Sequence, residues 1–233
     1  MRMLGLASLV MVVAGACDGA LAHTGPTPVS PRPPAPVPTG ASSGRIDSVD
    51  VAADLITYNQ AANIGFSIPV EGAIERSPGV ITRWELPIPV HVDPSIQGNC
   101  VQDAMDYWQS ATGVSHVWVA ADAEPRITVR AAGSDELNVS AGSGLVYRTY
   151  ADNRARLGVV KILTGNATCT APSALFRHEL GHVLGIFGHP PGGLMSSPLV
   201  GMTASPREIA ILTQLYRLPH GSRIASDGTW AAP

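Results

Sequence analysis

A chain of 233 residues with 45% hydrophobic and 14% charged residues can bury a core, and that core is mostly aliphatic because aromatic residues make up only 5%. The formal net charge is -3 and Lys161 is the sole lysine, which removes any electrostatic ground for a nucleic-acid partner.

Residues 1–22 read as an export signal. Arg2 supplies the positive start, Leu4 to Val13 the apolar stretch, and Ala14-Gly15-Ala16 lead up to Cys17. The apolar run is too short to span a bilayer. Two cleavage sites stay open, beside a signal that is never cut. Ala14-Gly15-Ala16-Cys17 resembles a lipobox, which would leave a lipidated Cys17 as a membrane anchor, whereas cleavage after Ala20-Leu21-Ala22 would give a freely secreted protein. Either way the expected location is outside the cytoplasm. Residues 23–44 are dense in proline and lack apolar periodicity, as an extended spacer does.

Residues 45–80 carry turn signals and short apolar runs but no assignable element, so their role stays open between a prosegment and a part of the fold. The main domain is expected over 81–220. Within Ile81–Ser95, apolar residues alternate with prolines and polar residues, which predicts a first strand. Asn99 is a candidate N-cap for a helix whose apolar positions are Val101, Ala104, Met105 and Trp108, stopped by Gly113. Strands follow at 116–121 and 126–132, then two more at 145–150 and 157–163 joined by a turn. A helix capped by Ser173 buries Leu175, Phe176, Leu180, Val183 and Leu184. Ser205-Pro206-Arg207-Glu208 is a capping-box start for a last helix, and residues 221–233 read as a tail. The order predicts an α/β or α+β arrangement in one domain. Cys100 and Cys169, an even pair in an exported chain, are expected to form a disulfide.

Three of the seven histidines fall within HELGHVLGIFGH, His178 to His189. Residues four apart on a helix face the same way, so His178 and His182 can converge on one cation. His189 could not reach that cation if the helix continued. Gly185 is placed to end the helix and turn the chain back, and Gly188, Pro190 and Pro191 prevent its resumption. Three imidazoles with an open fourth position suit a catalytic Zn²⁺. Glu179 points away from the ion but stands beside it, where a carboxylate serves as general base for an attacking water and returns the proton to the leaving amine.

HELGHVLGIFGH resembles the metzincin zinc-peptidase signature at every defining position, and Met195 in GGLMSS is similar to the methionine of that family's Met-turn. The strand order and the closing helix are most similar to the matrixin branch. The resemblance implies a zincin catalytic domain: a five-stranded twisted mixed sheet with one antiparallel edge strand, an active-site helix ending at Gly185, the Met-turn, and a C-terminal helix. It implies a protein or peptide substrate lying extended along an edge strand at Leu145–Tyr150, and a methionine floor beneath the metal. The spacing from His189 to Met195 is shorter than in animal matrixins, and no upstream cysteine switch is present. Ca²⁺ is common in matrixins, yet Asp122, Asp135, Glu136 and Asp152 form no recognisable loop and leave it unsupported. His91, His116 and His220 stand alone as surface or satisfied histidines.

The expectation is a monomeric zinc metalloendopeptidase acting on extracytoplasmic proteins. The alternative is a non-catalytic, zinc-stabilised surface binding module on a proline-rich stalk, against which Glu179 argues, because a scaffold has no need of a carboxylate there. Hydrolysis of a non-peptide amide or ester would use the same residues.

Overall fold

The computed structural model describes residues 43–59, 79–137, 144–151, 154–197, 199 and 201–233, with residues 144–151 described by their backbone. The export signal with Cys17, the linker as far as residue 42, residues 60–78 and Asp152 lie outside the described residues.

A five-stranded sheet forms the centre. It is built from β2 (Ile88–Val92), β4 (His116–Trp118), β5 (Arg126–Ala132), β6 (Gly144–Ala151) and β7 (Arg154–Leu163), in the spatial order β4-β2-β5-β7-β6. Four strands run parallel, and β6 pairs antiparallel with β7 at the edge. Ile88, Val90, Ile127, Val129, Val160 and Ile162 point into the core from alternate positions, the period-two signal that made these strands readable. The architecture is a mixed α/β fold with parallel and antiparallel pairing.

Helix α2 (Cys100–Thr112) buries Val101, Ala104, Met105 and Trp108 and ends at Gly113, whose φ of 78° is left-handed. Asn99 stands at its N-cap but makes no capping bond; its Oδ1 accepts from Ala171 N–H at 3.4 Å instead. A single turn, α3 (Ser134–Leu137), follows β5. Helix α4 (Ala174–Leu184) packs against α2 and β7, and Ser173 at its N-cap likewise makes no side-chain capping bond. Helix α5 (Pro206–Arg217) begins with the expected capping box between Ser205 and Glu208.

The short strands carry no periodic signal. β3 (Gln97–Gly98) pairs with β8 (Thr168–Cys169), and the Cys100–Cys169 disulfide closes the same corner with the Cα atoms 6.1 Å apart. β1 (Ser43–Arg45), β10 (Thr229–Ala231) and β9 (Arg223–Ile224) form a three-stranded sheet, so residues read as a tail pair with residues from the N-terminal side. Between them, α1 (Val49–Tyr58) is capped by Ser48, packs on α5 through Ala52 and Leu55, and pairs Asp54 with Arg207. Residues 43–59 are therefore built into the same core as the sheet. Among the described residues no helix is long and apolar enough to cross a membrane.

Candidate metal centre

Helix α4 presents His178 and His182 on one face, one turn apart, and then stops. The stop is a Schellman closure: Ile186 N–H donates to Gly181 O at 3.1 Å and Gly185 N–H to His182 O at 3.1 Å. Gly185 takes φ of 142°, a value costly for any residue with a Cβ, and an added methyl group would also strike the Leu215 side chain. Val183 O and Leu184 O, in the last turn of the helix, accept from Trp84 Nε1–H and Tyr216 O–H, each at 2.8 Å. The reversal brings His189 back. Its ring centroid lies 5.4 Å from that of His178 and 4.9 Å from that of His182, which are themselves 4.6 Å apart.

Hydrogen bonds fix two of the three tautomers. His178 donates from Nδ1 to Leu194 O at 2.7 Å, and His182 donates from Nδ1 to Ile186 O at 2.6 Å. Each ring therefore carries its lone pair on Nε2, and these two nitrogens face each other at 3.0 Å. Two opposed lone pairs repel unless a cation lies between them. Ligand nitrogens about 2.05 Å from a tetrahedral Zn²⁺ stand about 3.3 Å apart, close to the observed spacing. One ligand atom from each of the three histidines falls within 4.8 Å of the others, and among the described residues this is the sole such cluster of His, Cys, Asp and Glu. The donor set fits a divalent transition metal. Burial, the largest cause, lowers the pKa of all three rings, that of His182 most strongly, and so favours the neutral imidazole that binds a metal. His178 and His182 are buried while His189 is exposed, which leaves one side of the cluster open to solvent.

Glu179 is buried beside His178, and burial raises its carboxyl to about 8. Among the described residues it has no hydrogen-bonding or charged partner to offset that cost. An adjacent dication would favour its charged form.

Met195 is fully buried against α4 at Gly181, between the two helical histidines. A methyl group at Gly181 would collide with Met195 Sδ and lie 2.9 Å from Trp108 Cζ2, so this glycine is required by close approach. The turn carrying Met195 is organised by Glu208, whose carboxylate accepts from Leu194 N–H at 3.1 Å, Met195 N–H at 2.7 Å and Ser205 N–H at 2.7 Å. The sequence marks Glu208 only as half of a capping box; its second task has no local signal, since its partners lie 13 and 14 residues away. A chain of contacts results, from Glu208 through the Leu194 backbone to the His178 imidazole.

Other expected candidates lie elsewhere. Glu136 pairs with Arg130 and Lys161, which hold its carboxyl down to about 2. His91 Nδ1 lies 3.3 Å from Val119 O, His116 stands 3.6 Å from Asp106, and His220 is 3.2 Å from Glu85. None of them joins the cluster. In comparisons with known proteins, no family model and no curated protein matches the chain.

Proposed function

We propose that this chain is an exported zinc metalloendopeptidase of the metzincin type, matrixin-like in layout, with His178, His182 and His189 as metal ligands and Glu179 as general base. The observation that carries the reading is the convergence of three imidazoles, open on the His189 side, with a buried carboxylate, unpartnered among the described residues, on the neighbouring helical position. A structural zinc site is closed by four protein ligands, and among the described residues three protein groups converge here. When bound, Zn²⁺ supplies Lewis-acid polarisation of a carbonyl and acidifies the water it holds.

The protein's own groups do the rest. Leu194 O and Ile186 O keep two imidazoles in the Nε2 lone-pair tautomer and correctly turned. Glu179 accepts a proton from the attacking water and delivers it to the departing amine nitrogen, as the general base and then the general acid of amide hydrolysis. Among the described residues β6 is the edge strand of the sheet, and an edge strand can take an extended peptide as a further strand. Such a substrate is a protein or peptide met outside the cytoplasm, since the N-terminal segment reads as an export signal.

The test is casein cleavage by the zinc-loaded full-length protein, with and without a chelator, beside Glu179→Ala. Cleavage that is lost on chelation, restored by Zn²⁺ and absent in Glu179→Ala at full zinc content is the expected result. Full zinc content with no cleavage of casein or of a peptide library would replace this reading with a binding module.

A further inference from the structure

The end of α1, remote in sequence from the histidines, touches the loop that carries the third of them. Asn59 is 2% exposed; its Nδ2 donates to Gly185 O at 2.9 Å and to Thr82 O at 3.2 Å, while Oδ1 accepts from Thr82 N–H at 2.9 Å. The bond from Thr82 N–H fixes which end of the amide faces Gly185. One residue earlier, Tyr58 O accepts from Phe187 N–H at 2.7 Å. The Tyr58 ring also covers Gly188, where a methyl group would lie 2.6 Å from Cδ1. Between the two backbone contacts stands Ile186, whose carbonyl accepts the hydrogen bond from His182 Nδ1–H, and just beyond them comes His189.

We propose that Asn59, together with the Tyr58 carbonyl and ring, is a positioning element of the metal centre, holding the Gly185–Gly188 reversal in the shape that aims His182 and His189 at a common point. This rests on the reading of the triad as a zinc site. A reversal containing two glycines does not select one backbone shape by itself, because glycine occupies many conformations at little cost. Contacts from outside the loop must select it. Asn59 and Tyr58 grip it at Gly185, Phe187 and Gly188, so the ordering a metal would otherwise impose on binding is already present. The Ser48 cap, by contrast, holds the opposite end of α1, its hydroxyl accepting from Val51 N–H at 3.4 Å, and so offers a control for mere loss of helix stability.

The test uses the full chain, with Zn²⁺ affinity measured by competition with a chromophoric chelator, the visible spectrum of the Co²⁺-substituted protein, and the melting temperature of the metal-free protein. Asn59→Leu is expected to weaken Zn²⁺ binding about 10- to 100-fold and to change the Co²⁺ bands, the size of effect typical of groups that orient metal ligands. Ser48→Ala is expected to lower the melting temperature while leaving Zn²⁺ affinity within about threefold and the Co²⁺ spectrum unchanged. Should Asn59→Leu fail to fold, Gly188→Ala presses on the Tyr58 ring from the loop side and carries the same expectation. Wild-type Zn²⁺ affinity in Asn59→Leu or Gly188→Ala, or equal losses in Asn59→Leu and Ser48→Ala, would overturn the positioning role while leaving the zinc site standing. A wild-type chain that takes up no Zn²⁺ would overturn the zinc site and this inference with it.

Discussion

Glu208→Gln tests whether one buried carboxylate organises the turn behind the metal centre. The side chain has no solvent exposure, and its two oxygens accept three backbone N–H groups, from Leu194, Met195 and Ser205. In the less damaging orientation, the new amide group faces Met195 N–H, so one charge-assisted bond worth about 1.5–3 kcal/mol is replaced by two opposed donors. The remaining two bonds lose their charge assistance, for a total loss of about 2–4 kcal/mol. A domain of this size should then melt roughly 5–15 °C lower. Because Leu194 O accepts the hydrogen bond from His178 Nδ1–H, Zn²⁺ affinity should fall as well, about 10- to 100-fold. Thermal and urea unfolding of the metal-free protein give the first quantity, and chelator competition gives the second. An unchanged unfolding midpoint together with unchanged Zn²⁺ binding would refute the role given to Glu208.

Gly181→Ala sets a helix-propensity gain of about 1 kcal/mol against overpacking of Met195 and Trp108 that costs about 1–3 kcal/mol. Net destabilisation is expected in urea, with the Gly181→Ala/Met195→Ala double variant losing less than the sum of the two single variants. Replacing Cys100 and Cys169 together by alanine opens a loop closed across 69 positions and should cost about 4 kcal/mol of unfolding free energy, read from the urea midpoint; an unshifted midpoint would show that the bridge contributes nothing. For Glu136, the folded pKa of about 2 lies below the ordinary 4.5, so its pairing stabilises the fold above about pH 5 and is lost as pH falls toward 2. The gap in melting temperature between wild type and Glu136→Gln should close over that window and shrink in high salt; a gap independent of pH would contradict the pairing with Arg130 and Lys161.

What sequence could reveal was whatever is written locally. The four longest strands of the central sheet alternate or run apolar, and α2, α4 and α5 carry apolar residues at helical spacing, so they were readable. The triad was readable for the same reason: His178 and His182 are one turn apart, and the reversal that returns His189 is spelled by Gly185 and the residues after it. Helix α1 escaped notice because it has ten residues, several β-branched, and sets Asp54 on its buried side, where only Arg207, 153 positions away, makes a charge acceptable. β1, β9 and β10 have two or three residues each, too few for a period to register. Asn59 carried no signal at all, since its bond to Gly185 spans 126 positions and any asparagine ending a short helix looks like a cap.

Ser43 pairs with Ala231 and Arg45 with Thr229, so the chain enters and leaves the described domain at the same end of one antiparallel strand pair. Tension applied between those two ends would load the hydrogen bonds singly and in succession, unzipping β1 from β10 instead of shearing all of them at once. A copy held at its leading end and dragged from the other would thus give way first at this seam. α1, next along the chain, would then bear the load, and with it the mechanical integrity of the histidine cluster.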